Sequence, residues 1–426
     1  MFMNVLRSAP GRKRLNLALL VASFGIGQGA IFLAQTYLVA RDELALLAAF
    51  GTHFSFAVFA ILVVDLGAIT VLARETAGST GRGDARTHVS AAYWQITACR
   101  VAVAVVLALA AAGAALVYGD AFTRAYVLAA LPGVLLWAFN AAGVLDGLRL
   151  SGISGLTGIP PYLASSIALL LAIGRDAQTA GFLLGAALCL GYVLALVGQI
   201  LALAANGCGL KWMPPTPAGM RAAAQNGLAV LLTVLPGQVY FRIQLLLSTA
   251  ILGAAATAIF IYAKQVITAF AQLLGFLRRV EFPELVARLA SGQLHPIREI
   301  LRTQRTGTLV AAVCAVLVGA IGLLVWLRLP APASLAGFGI AIFAPTILSG
   351  ALSLSFIQGL NALGFYRRAA AVMIGAVTLA TTICAGFLAH AGIAVLAAAD
   401  LAANLLAIAL VAALLRARAK PAAPPG

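Results

Sequence analysis

Lys264 stands in the stretch IYAKQVITAFAQLLGFLRRVEFPEL, residues 261–285, inside an apolar run that begins near Thr249 and ends at Leu277. If that run crosses a bilayer, the ammonium lies near its middle, where insertion scales put its cost at roughly 2.5–3.5 kcal/mol. A chain that keeps such a group has a use for it. Thr257, Lys264, Thr268 and Gln272 follow one another at steps of seven, four and four, so they share one helical face. A face of that kind needs partner helices or a watered cavity rather than acyl chains. Its ammonium would attract an anion, and its hydroxyl and amide groups would hydrogen-bond polar ligands.

Other polar residues recur in apolar surroundings. Gln238 and Arg242 are one helical turn apart, with Gln244 close by, and Gln28 and Gln35 are two turns apart in the first apolar run. They read either as cavity-lining groups or as interhelical hydrogen bonds, and Arg242 sits near enough to an interface to snorkel. Asp65 lies about nine residues before the cytoplasmic end of the second span, and Arg100 about ten residues after the start of the third. Sequential spans are antiparallel, so the two charges share a depth and an Asp65–Arg100 ion pair is expected. Such a pair relieves the burial of both charges. It could also act as a switch, in which Asp65 takes up a proton or cation and frees Arg100. Asp400 and Asn404 are one turn apart in the last span, and Asp400 either faces a cavity or pairs with a group such as Lys264. His53 and His390 are isolated and read as structural.

Catalytic chemistry finds no residues to stand on. There is no Walker lysine, GxSxG elbow, HExxH or cluster of paired carboxylates, so no ATP site, metal or catalytic residue is expected. FGIGQGA at 24–30 looks like a nucleotide loop but has no strand before it, and reads as helix-packing glycine. Five cysteines without CxxC spacing give neither a disulfide framework nor a metal site.

These residues are positioned by spans. Of 426 residues, 63% are hydrophobic and only 9% charged, and the mean hydropathy is +1.04. Soluble chains carry about 25% charged residues. Twelve apolar segments are expected at about 16–39, 45–73, 90–117, 125–146, 153–174, 180–204, 222–243, 249–277, 306–327, 336–360, 367–389 and 391–415. The net charge of +16 sorts by loop. Of the 28 Lys and Arg, Arg41, Arg124, Arg175, Arg242 and Arg328 fall on one side, Arg100 and Lys264 lie within helices, and the rest occupy the alternate loops and termini. That asymmetry predicts cytoplasmic N- and C-termini and points to membrane lipids, not nucleic acid, as the partner of the basic residues. The basic N-terminus leads into a run too long for a signal-peptide core, which reads as a retained first helix. PIREILRTQR, 296–305, reads as an interfacial helix, with Ile297, Ile300 and Leu301 on one side and Arg298, Arg302 and Arg305 on another.

A repeat is visible between GQGAIFLAQTYLVARDELALLAAFGTHFSFAVF from Gly27 and GQVYFRIQLLLSTAILGAAATAIFIYAKQVITAF from Gly237, 210 residues apart. The expected architecture is therefore all-α and polytopic, with twelve transmembrane helices in two pseudo-symmetric six-helix halves around a central cavity. Its parts are an N-terminal segment 1–15, a first half 16–204, a linker 205–221, a second half 222–415 and a tail 416–426.

The opening stretch, with Phe50-Gly51, Val64-Asp65-Leu66-Gly67 and Arg74, resembles the polysaccharide-repeat (Wzx-type) flippases of the multidrug/oligosaccharidyl-lipid/polysaccharide exporter superfamily. Tyr262, Lys264 and Pro283 are similar to that family's second-half element, and NAAGVLDGLRLSG, 140–152, to its fourth-to-fifth connection. Where the family often has an Asp near the end of the seventh helix, this chain has Arg242 and Gln244. The resemblance implies a non-enzymatic flippase of the bacterial cytoplasmic membrane. Its substrate would be an oligosaccharide on undecaprenyl pyrophosphate, its partners a polysaccharide polymerase and chain-length machinery, and its coupling a proton or sodium gradient rather than a cofactor. On this reading Lys264, Arg242 and Arg100 meet the pyrophosphate, and Gln28, Gln35, Gln238, Thr268 and Gln272 meet sugar hydroxyls. Asp65, Arg100 and Asp400 then form ion-coupling or structural pairs. A drug/cation antiporter of the same superfamily is the alternative, and it would need free acidic residues inside the membrane.

Overall fold

Apolar segments flanked by short polar residues become helices, and a computed structural model of the chain describes residues 9–41, 43–79, 84–290, 295–330 and 333–419. The expectations that fall on Arg7, Arg82 and Lys420, and on the Tyr262 side chain, lie outside the described residues. The described residues hold helices and no strand. Two starts show why the helices begin where they do. The Asp120 carboxylate accepts from the Thr123 amide at 2.7 Å, and Asp176 accepts from Gln178 and Thr179 at 3.0 and 3.1 Å. Both satisfy orphan first-turn N–H groups, and hydrogen bonding to the threonine at each site holds the carboxyl below its usual range.

Two compact units divide the chain, Met1–Leu228 and Ala229–Gly426. The first unit contains α1 (Ala9–Ala40), α2 (Leu44–Asp65), α3 (Ala68–Ser79), α4 (Ala85–Tyr118), α5 (Ala121–Leu136), α6 (Ala142–Gly147), α7 (Ser151–Leu156), α8 (Pro160–Leu171) and α9 (Ala177–Ala205). A long α10 (Pro217–Ala290) runs across the division and is broken at Gly253. The second unit continues with α11 (Pro296–Thr303), α12 (Arg305–Arg328), α13 (Ala333–Phe343), α14 (Pro345–Ala362), α15 (Tyr366–Ala391) and α16 (Ile393–Ala419). Among the described residues, eleven helices are long and apolar enough to cross a membrane. The second limb of α10, 254–290, corresponds to the remaining expected segment.

Several expected spans are interrupted. The second breaks at Leu66 and Gly67, both left-handed at φ 50° and 66°. Gly67 adopts this freely, whereas Leu66 does so under strain. The fourth breaks at a 3₁₀ turn, Trp137–Phe139, and resumes as α6. Gly143 and Gly147 let α6 lie directly on α3, since a Cβ at either would strike Ile69 or Thr76. The fifth is divided into α7 and α8, and the tenth into α13 and α14 ahead of Pro345.

After α9 the linker runs along α4. Arg86 Nε donates to the Gly209 carbonyl (2.7 Å), Trp94 Nε1 to the Lys211 carbonyl (2.8 Å), and the Lys211 amide to Ser90 Oγ (3.1 Å). Helix α11 begins at Pro296 as its sequence requires and drops the fully buried Ile300 onto Gly359 of α14. Leu301 departs from the expected apolar side and is 40% exposed, because the turn that buries Ile300 also buries Glu299 and Thr303.

Gly253, at φ 82° and ψ 176°, occupies a region that side chains almost never enter. Gly253→Ala is expected to cost about 1–3 kcal/mol, read as a lower thermal unfolding midpoint in detergent. Gly275→Ala, at a helical position with open space around it, is the control and is expected to hold or raise the midpoint. Equal behaviour of the two variants would remove the assigned role of the break.

Candidate functional site

In the second unit, polar side chains from the two limbs of α10 and from α16 meet. Tyr240 and Gln244 lie one turn apart on the first limb of α10, Lys264 lies on the second limb, and Asp400 on α16. The Lys264 ammonium donates to Asp400 Oδ2. Gln244 Nε2 donates to Asp400 Oδ1 at 3.0 Å and to the Tyr240 hydroxyl at 2.8 Å. That hydroxyl also lies 3.7 Å from Cys384 Sγ on α15. Phe260 and Phe343 flank the ammonium, with ring centroids 5.9 and 5.5 Å from Nζ, which adds a cation–π attraction. The Lys264 side chain is 19% exposed and that of Asp400 9%. Among the described residues, Gln244 Oε1 is buried with no hydrogen-bond partner. Phe260, Phe343, Leu396 and Ala399, all buried to 1% or less, form the apolar packing around the cluster.

The rest of the expected face divides. Thr257 is buried, bonding Ser248 Oγ and the Gly253 carbonyl, both at 2.9 Å, and so stabilises the helix break. Thr268 and Gln272, one and two turns beyond Lys264, are exposed. Gln238 and Arg242 are also exposed, and Arg242 Nη1 donates to the Gln238 carbonyl at 2.7 Å. Gln28 is exposed and Gln35 half-buried in the first unit. Asn404 donates to Ser349 Oγ at 3.1 Å. His53 bonds the Ala49 carbonyl (2.7 Å) and Thr123 Oγ1 (3.0 Å), while His390 is exposed.

The first unit holds its own buried pair. Arg100 Nη2 meets Asp65 Oδ1 at 3.0 Å. Arg100 also donates to the carbonyls of Asn140 (2.8 Å) and Trp137 (3.2 Å), at the interruption between α5 and α6. Nearby, the Ala141 and Ala142 amides donate to Gln199 Oε1 and Asn140 Oδ1, both at 2.8 Å. Arg100, expected as a substrate-binding group or as part of a structural pair, takes the paired arrangement here. Its side chain is 0% exposed, and its guanidinium is taken up by a carboxylate and by the carbonyls that a broken helix leaves free.

Sequence reasoning missed three participants. Tyr240 precedes Gln244 by one turn in an apolar helix, a spacing that could have flagged it. Cys384 carries no such signal. Arg278 reads as a loop cation because it follows the apolar run, yet it is 1% exposed and donates to Ser355 Oγ (3.1 Å) and the Ala351 carbonyl.

No known family profile matches the sequence, and no curated protein matches it. Solved structures do. A multidrug resistance MATE family transporter of the MOP superfamily, in an outward-facing conformation, superposes with a TM-score of 0.72 at 15% identity, covering 97% of each chain. A MATE in a straight conformation gives 0.70 at 12% identity over 97% of this chain and 98% of that one. A MOP superfamily transporter from Pyrococcus furiosus gives 0.64 at 12% identity over 98% of both. The chain shares its fold with these transporters, and with its eleven candidate spans among the described residues it is a multi-pass membrane protein.

Arg100→Leu would leave Asp65 buried without its cation, and the expected loss is about 3–5 kcal/mol, read as a lower unfolding midpoint in detergent. The double variant Asp65→Leu/Arg100→Leu removes both charges and is expected to recover part of that loss. A double variant less stable than the sum of the two singles would contradict the pairing.

Proposed function

We propose that the protein is a flippase. It moves a lipid-linked oligosaccharide, carried on undecaprenyl pyrophosphate, from the inner to the outer leaflet of a bacterial cytoplasmic membrane, for cell-surface polysaccharide synthesis. The observation that carries this reading is the charge inventory inside the spans. Asp65 and Asp400, the acids near mid-span, are each ion-paired, so neither offers a free carboxylate to a cationic drug. Lys264 keeps part of its side chain exposed, and Thr268 and Gln272 extend the same face. That combination suits an anionic headgroup followed by sugar hydroxyls.

Sequence resemblance to the polysaccharide-repeat flippases supports the same substrate, and the fold shared with MOP superfamily transporters supports alternating access. The Pyrococcus furiosus neighbour is described as having a binding pocket of reverse polarity that suggests a different function, so this fold has room for more than one charge preference. An anion leaving a negative cytoplasm gains about 2.3 kcal/mol per charge per 100 mV, which makes ATP unnecessary. Cytoplasmic termini follow from the Lys and Arg asymmetry. A polymerase and chain-length machinery would receive the product. Drug/cation antiport is the second reading, favoured by the multidrug neighbour.

The test is flipping of a fluorescent undecaprenyl-pyrophosphate oligosaccharide by the purified protein in liposomes. Lys264→Ala is expected to lose about tenfold or more of the rate, and Lys264→Arg to retain much of it. Full activity in the alanine variant overturns the role of Lys264. Efflux of a cationic dye that depends on Asp400, with no lipid flipping, would establish the antiporter instead.

A further inference from the structure

Lys264 has one ionic partner in the described structure, Asp400, and that partner already satisfies it. An anionic substrate must therefore compete with a carboxylate built into the same chain. We propose that the two exchange. The pyrophosphate displaces Asp400 from Lys264, and the released carboxylate takes up one proton, so that anion binding carries a proton with it. This rests on the flippase reading and adds to it a site and stoichiometry for proton coupling.

Three observations support the exchange. First, Lys264 is the more open member of the pair, at 19% against 9% side-chain exposure. The exposed Thr268 and Gln272 follow on its face, so an anion at Lys264 would have further polar groups beside it. Second, the ammonium does not depend on Asp400 alone, because Phe260 and Phe343 flank it and would remain when the carboxylate leaves. Third, the residue behind Asp400 can serve both of its protonation states. Gln244 now turns its Nε2 to Asp400 Oδ1, as an ionised carboxylate requires, and its own Oε1 is buried with no hydrogen bond assigned to it among the described residues. Rotating the amide by half a turn would present Oε1 to Asp400, where it would accept the new O–H of the neutral acid. That oxygen is then the acceptor of the second state.

The other groups facing Asp400 leave the proton no better destination. Among the described residues, Tyr240 on α10 and Cys384 on α15 are the titratable neighbours besides Lys264, and the α13 contribution near the ammonium is the Phe343 ring. A buried carboxylate deprived of its cation is costly, and a proton replaces the lost charge at the same atoms. The step balances simply. The ion pair opens, one proton from water adds to an Asp400 oxygen, and the ammonium keeps its own proton and its charge and pairs with the pyrophosphate.

Farnesyl pyrophosphate is a soluble probe of that headgroup. Its binding to the full-length protein in detergent is to be measured by calorimetry in buffers of different ionisation enthalpy. The wild type is expected to take up about one more proton per bound ligand than Asp400→Asn. The variant, freed of its internal competitor, is expected to bind about tenfold or more tightly. Relative to the variant, wild-type affinity should weaken as pH rises. Asp400→Glu keeps the carboxylate and should keep the proton uptake. If Asp400→Asn fails to fold, infrared difference spectra of the wild type decide the matter, because ligand addition should create a protonated carboxylic acid band. Binding that depends on Lys264 but shows equal proton uptake in wild type and Asp400→Asn, or no new acid band, overturns the exchange and leaves the flippase reading standing. No binding of the pyrophosphate by the wild type overturns both.

Discussion

Inside hydrocarbon a charge must be neutralised where it stands, and much of this structure follows from that requirement. Little water can screen Asp65, Arg100, Lys264 or Asp400, so each is placed against an opposite charge from another helix. Meeting a partner fixes the rotation of both helices about their axes and sets their depth. The pairs therefore align elements that apolar packing alone would leave free to slide, because one leucine contacts acyl chains about as well as another.

The same requirement applies to the backbone. Interrupting a span at membrane depth frees carbonyls and amides that lipid cannot satisfy. In the first unit the interruption after Leu136 is served by Arg100, Gln199 and Asn140, which between them bond the Trp137 and Asn140 carbonyls and the Ala141 and Ala142 amides. In the second unit Thr257 donates to the Gly253 carbonyl at the helix break. Buried arginines and threonines are thus the condition under which these helices can be broken, and broken helices bring residues from distant turns onto a common surface.

How far the sequence could be read follows from which forces are local. The spans were legible because length and hydropathy are properties of consecutive residues, and the Asp65–Arg100 pair because antiparallel neighbours of similar depth must meet. The helix at Pro296 was legible from its amphipathic spacing. The breaks at Leu66–Gly67 and Trp137–Phe139 were not, since an apolar run reads the same whether straight or bent and the bend depends on partners many residues away. The partner of Asp400 was left open for the same reason. Lys264 is 136 residues distant, and no local period links α16 to the second limb of α10. Arg278 was misplaced because charge at the edge of an apolar run looks like a loop, although a long side chain can turn inward to a carbonyl as readily as outward to water.

The two mid-span ion pairs have the same formula and different surroundings. Arg100 is 0% exposed and anchored by Asp65 and two carbonyls, so opening that pair would also strip a broken helix of its donors. Such a pair is locked by everything it holds together. Lys264 is held by Asp400 and two aromatic rings, with 19% of its side chain open, and among the described residues no backbone carbonyl accepts from its ammonium. Its separation from Asp400 strands only the carboxylate, for which a proton and a rotated Gln244 amide are adequate substitutes. The physical difference between a structural salt bridge and a functional one lies there, in how much of the fold must be given up when the bridge opens.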